Sequence, residues 1–156
     1  MNRPASHILK DTADLKLWQE AERQALRSHL KAHRTGAVIF DKRGRILSTG
    51  CSHIGPNKSR WTHAEEHACS RMWPALETLS AHCIIVTVNK NGHWACSSRP
   101  CAMCINMLNH YNIQYATYAE KCNDGSWEVN QIIIPDMMDR VKEIDITAQY
   151  AKHMRI

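Results

Sequence analysis

The chain has 156 residues, 44% of them hydrophobic and 22% charged, as expected of one soluble globular domain spanning 1–156 with a core of its own. No apolar run approaches the ~20 residues that cross a bilayer, and the opening Met1-Asn2-Arg3-Pro4 lacks the apolar core of a signal peptide. A cytoplasmic protein with no membrane partner is therefore expected, and a net charge of +5 favours anionic partners such as a nucleotide phosphate or a nucleic-acid backbone.

In chain order, residues 11–33 read as one amphipathic helix. Leu15, Trp18, Ala21, Ala25, Leu26 and Leu30 recur near the helical period, Asp11 or Thr12 can cap the start, and Gly36 stops it. Two strands follow, 37–40 and 45–50, joined by the turn Asp41-Lys42-Arg43-Gly44. Residues 51–61 read as a polar loop. Thr62 with Glu65 three residues on spells a capping box, so a helix is expected from His63 to about Trp73, with 76–79 as a possible continuation past Pro74. The run Ile84-Ile85-Val86-Thr87-Val88 suits the centre of a sheet. A helix opens at Pro100-Cys101 and runs to about His110, and Ile105, Met107 and Leu108 would pack it down. Strands at 113–119 and 126–134 flank Asn123-Asp124-Gly125 and resemble a tight hairpin ended by Pro135. A strand at 142–146 and a helix at 147–153 close the chain. Strands alternating with helices predict an α/β fold, a three-layer α/β/α sandwich around a mixed sheet.

Two short stretches carry the chemistry: Thr62-His63-Ala64-Glu65-Glu66-His67 and Arg99-Pro100-Cys101-Ala102-Met103-Cys104. Neutral imidazole and thiolate are the donors zinc prefers, and a catalytic zinc keeps one position for water. The order H-x-E…P-C-x-x-C is a signature of zinc deaminases. On these residues the chain resembles the cytidine deaminase superfamily, which includes the deoxycytidylate and tRNA-adenosine enzymes. The odd count of seven cysteines agrees with reduced thiols and a metal spelling rather than a disulfide framework.

The resemblance implies one zinc per chain held by His63, Cys101 and Cys104, with Glu65 unligated and moving protons. It implies about five strands with both zinc helices on one face. In the family, the last strand is antiparallel in free-nucleoside enzymes and parallel in the deoxycytidylate and tRNA branch, and the hairpin spelling leans toward the former. It also implies an oligomer and a base held near Ala64, Cys101 and Pro100. The asparagine that grips the sugar in the deoxycytidylate and tRNA enzymes is replaced by Ser52, for which His53 or Asn57 could substitute, and Arg99 is a candidate phosphate ligand. A free pyrimidine nucleoside or nucleotide is the expected substrate. A flipped base in nucleic acid is the alternative: of Trp61, Trp73, Trp94 and Trp127, Trp61 and Trp94 flank the two motifs and could stack on it.

Two other readings of the same residues differ in class. His63-Ala64-Glu65-Glu66-His67 also spells H-x-x-E-H, the inverted zinc-peptidase motif, with Glu66 as base; this leaves the cysteine pair without a role. Cys96, Cys122 or His110 could instead close a four-ligand structural zinc site with Cys101 and Cys104. His67 is otherwise read as a core or supporting histidine.

Overall fold

The computed structural model of the chain describes residues 3–55, 61–72 and 80–137. The expected elements at 76–79, 142–146 and 147–153, and the candidates Asn57 and Trp73, lie outside these residues. Five strands form one sheet: β1 (Arg34–Phe40), β2 (Ile46–Cys51), β5 (Ala81–Val88), β6 (Ile113–Lys121) and β7 (Trp127–Ile133), in the order β2-β1-β5-β6-β7. Among these strands only β5 and β6 pair in parallel; the other three pairings are antiparallel. The sheet is thus mixed, as expected. The β6–β7 pair is the expected hairpin, Tyr115 facing Ile133 and Lys121 facing Trp127. Its turn places Gly125 at φ 87°, a conformation a Cβ would penalise.

Strand alternation divides the core in two. Ala37, Ile39, Cys83, Ile85, Ala116 and Tyr118 face α3 (Ala64–Arg71) and α4 (Ala102–His110). Val38, Phe40, Ile84, Val86 and Val88 face α2 (Leu15–Arg27), with Leu9 of α1 (Ser6–Lys10) at its edge. Helices on both faces of one sheet give the three-layer sandwich, and both motif helices lie on the same side. Among the described residues, no helix is long and apolar enough to cross a membrane.

The single helix expected over 11–33 is two. Asp11 ends α1, and the Asp14 carboxylate accepts the Lys16 amide at 3.0 Å and caps α2. Starting there, α2 buries Leu17, Trp18, Ala21, Gln24 and Ala25, so Leu26 turns away from the sheet and is 47% exposed. The polar loop expected at 51–61 holds a small ribbon, β3 (His53–Ile54) against β4 (Trp61–Thr62). Thr62 is therefore a strand residue, and the capping box does not form. His63 is the N-cap of α3, with no side-chain capping bond, because its ring turns toward the cysteine thiols instead.

Gly50 sets how close α3 sits. A Cβ there would fall on the backbone of Ala64 and Ala68, and neither atom can yield without moving the helix. Gly50→Ala is expected to destabilise the fold by on the order of 3 kcal/mol and to displace the helix that carries Glu65. Urea denaturation should show a lower midpoint, and an unchanged one would contradict this packing.

Candidate active site

Each motif stretch starts a helix with a cysteine or histidine at its N-cap. His63 precedes α3 and Cys101 precedes α4, both with extended backbone. Their side chains thereby meet where the two helices converge. His63 Nδ1 lies 3.2 Å from Cys104 Sγ and 3.6 Å from Cys101 Sγ. The three donor atoms lie within 4.8 Å of one another.

This arrangement suits zinc. Bonds of about 2.3 Å to sulfur and about 2.1 Å to nitrogen put two donors on a tetrahedral zinc roughly 3.6 Å apart. The protonation pattern points the same way. Burial works against protonating His63, but hydrogen bonding to Cys101 and the charge of Glu65 hold its pKa above the usual value. Hydrogen bonds from the Cys104 side chain and from His63 bring Cys101 down to about 4. The Cys104 thiol is pushed well up, first by its hydrogen bond to Cys101 and then by burial. A dication in their midst would let both sulfurs ionise and keep the imidazole lone pair for the metal.

Glu65, in the first turn of α3, is 4% exposed. It stands outside the three-donor cluster, and burial first, with the Cys101 charge behind it, pushes its carboxyl above the usual pKa. A cavity of about 220 Å³ opens over this group, walled by Trp61, Ala64, Thr35, Ser52, Thr87 and Ser98 among others. It sits at the carboxyl end of β5, a usual place for a ligand crevice in an α/β sheet.

The structure brings together His63, Cys101, Cys104, Glu65, Ala64, Ser52 and Arg99 around this cavity. Ser52 is 1% exposed; its Oγ accepts the Thr35 amide at 2.9 Å and pairs with Ser28 Oγ. Arg99 donates to the Tyr118 hydroxyl at 2.9 Å. Pro100 is buried and is not among the residues that line the cavity, and His53 packs against His67 of α3 rather than lining it. His67 also faces away from the cavity. It accepts the Cys51 amide at 3.1 Å and groups with Cys51 and His53, not with His63. Cys96, Cys122 and His110 are outside the His63 cluster. Trp94 lies on the opposite face of the sheet, against Trp18 at 6.0 Å and Trp127 at 6.4 Å, with its Nε1 donating to Glu22. Of the tryptophans considered for stacking, Trp61 reaches the cavity, its ring 5.2 Å from His63.

Sequence reasoning missed His33, Thr35, Thr87 and Ser98, which also line the wall. Thr35 and Thr87 face each other across β1 and β5 with hydroxyls 2.8 Å apart, and Ser98 Oγ accepts the Thr87 amide at 2.9 Å. The one available signal was Thr87, a hydroxyl in an otherwise apolar central strand.

The fold is similar to that of solved enzymes. A cytidine deaminase from Burkholderia pseudomallei superposes with a TM-score of 0.61 at 14% identity, over 80% of this chain and 95% of that one. A mutant cytidine deaminase from Mycobacterium tuberculosis gives 0.51 at 15% identity, over 79% and 89%. A search of curated proteins by sequence finds no significant match. The family profile described as "Cytidine and deoxycytidylate deaminase zinc-binding region" matches residues 11–120, most of the chain and both motif stretches. With that match and a cysteine–histidine cluster fit for zinc, the chain belongs to the cytidine and deoxycytidylate deaminase zinc-binding family.

Proposed function

We propose that the chain is a hydrolytic deaminase that replaces the amine of a free cytosine nucleoside or nucleotide with oxygen and releases ammonia. The observation that carries this reading is the buried Glu65 carboxyl at the floor of a small cavity, beside but outside a His63–Cys101–Cys104 cluster. Zinc held by those three side chains would act as a Lewis acid toward water and lower its pKa to about 7. Glu65 takes a proton from the water on one carboxyl oxygen and delivers it to the ring nitrogen next to the reacting carbon. It then takes the remaining proton of the added hydroxyl and passes it to the departing amine, so that the ring carbon keeps the oxygen and ammonia leaves. A carboxyl whose pKa burial has raised is suited to holding that proton between the two transfers. Trp61 and Ala64 flank the space for the base, and the hydroxyls of Thr35, Ser52, Thr87 and Ser98 offer partners for its polar edge or for the sugar.

Three features support a free substrate. The cavity, about 220 Å³, is of small-molecule scale. The antiparallel β6–β7 hairpin is the arrangement of the free-nucleoside branch. Arg99 is the one lysine or arginine among the described lining residues, which is little for tracking a phosphate backbone. Trp61 in the wall is the feature that favours the alternative, a base flipped out of tRNA or single-stranded nucleic acid. The same proposal places the protein in the cytoplasm, which seven free cysteines support, and as a dimer or larger. A monomer at micromolar concentration in light scattering would count against the assembly.

A deamination screen over cytidine, deoxycytidine, their monophosphates, modified cytosines, guanine, and single-stranded DNA and RNA tests the substrate class. Ammonia released from the nucleosides or monophosphates supports the proposal; release from nucleic acid alone transfers it to the flipped-base reading.

A further inference from the structure

We propose that Cys51, His53 and His67 form a second metal site, which takes a divalent cation of the zinc–cobalt class and ties the β3–β4 ribbon to α3. Cys51 ends β2 and His53 opens β3, so the two residues, two apart, project to the same side. That side is covered by α3, whose contacts with β2 are extensive and whose His67 lies one turn beyond the helix start. One donor atom from each of the three lies within 4.8 Å of the others, and all three residues are half-buried. The rings of His53 and His67 meet edge to face with centroids 4.6 Å apart.

Neither the first site nor the core accounts for this convergence. None of the three residues lines the cavity, and none belongs to either apolar core cluster. One thiol and two imidazoles match zinc or cobalt and are poor ligands for calcium or magnesium, which take oxygen.

The hydrogen bonds set which lone pairs are at hand. His53 Nδ1 donates to the Cys51 carbonyl at 3.0 Å, an orienting contact of the kind that prepares a ligating histidine, and its Nε2 keeps a lone pair. His67 Nδ1 accepts the Cys51 amide at 3.1 Å. A cation bound by His67 costs that hydrogen bond, so this site is the weaker of the two and gives up its metal first. Its effect would reach the cavity: the ribbon it fixes carries Trp61 and runs directly into His63.

The test is cobalt titration of the zinc-loaded protein at micromolar concentration, following sulfur-to-cobalt charge-transfer absorption, with zinc content measured in parallel. Wild type should take up one further metal per chain with that absorption while its first zinc stays in place. Cys51→Ser should keep the first zinc and its near-ultraviolet circular dichroism but lose the new absorption. His53→Gln, which leaves the thiol intact, should weaken the uptake by more than roughly 100-fold, since even groups that only orient a ligand are worth 10–100-fold. The Cys101→Ala, Cys104→Ala double variant should retain the absorption, which excludes the first site as its source, and the loss in Cys51→Ser then assigns the sulfur to Cys51. Cobalt bound without charge transfer, as at surface histidines, or absorption unchanged in Cys51→Ser, overturns the proposal.

Discussion

Glu65→Gln is expected to yield a folded, zinc-loaded protein whose deamination rate falls by ~10²–10⁴-fold, the usual worth of a positioned proton-transfer group. The substitution keeps the size of the side chain and most of its hydrogen bonding but removes the titratable oxygen. It leaves all three clustered donors in place, and the glutamine can keep the hydrogen bond that Glu65 makes with Cys104, so metal content should not change. Glu66→Gln is the control. Residue 66 lies about 100° further round α3 and is not among the residues that line the cavity. Its rate should stay near that of wild type. The peptidase reading of the same five residues demands the opposite order, and a structural zinc site demands no effect from either. Ammonia release by the two variants side by side separates all three. Full activity in Glu65→Gln would end the assignment of this residue.

The second large effect is expected on metal. In Cys101→Ala, Cys104→Ala only His63 remains of the three-donor cluster, and one imidazole by itself cannot hold zinc against a chelating resin. Wild type passed over such a resin should keep about one zinc per chain and the double variant essentially none. Stability should follow. A ligand present at a thousandfold over its dissociation constant stabilises the folded state by about 4 kcal/mol, and the double variant forgoes that gain. Its melting temperature should therefore be lower and insensitive to added zinc, apart from whatever the Cys51 cluster contributes. Elemental analysis after the resin decides the matter: zinc retained by the double variant would place the metal elsewhere.

The convergence of His63, Glu65, Cys101 and Cys104 was legible in the sequence because each half of the cluster is local. His63 and Glu65 sit at one helix start, Cys101 and Cys104 at another, and the spacing within each stretch is fixed by the first helical turn. The two-faced sheet was legible for a similar reason, since β5 is apolar on both sides. The cavity wall was not. Thr35, Ser52, Thr87 and Ser98 come from four separate segments, brought together by the β1–β5 register, the Thr35–Thr87 hydroxyl contact and long-range amide hydrogen bonds. Trp94 illustrates the same limit. It is close to the cysteine motif in sequence, but its pairing with Val88 at the end of β5 puts its ring on the α2 side. Thr62 shows local pattern losing to tertiary contact: a capping box was available, but drawing His63 into the thiols moved the helix start one residue on. His53 was misplaced for want of the ribbon, whose two-residue strands carry too little pattern to announce themselves.

The most direct test of hydrolytic deamination in this cavity is product analysis in heavy-oxygen water. Zinc-loaded wild type is incubated with cytidine, deoxycytidine and their monophosphates, and the products are weighed by mass spectrometry. At least one of the four is expected to give the corresponding uracil compound, with one solvent oxygen on the ring and one ammonia released per molecule converted. All four recovered unchanged, or a uracil product without the solvent oxygen, would contradict it.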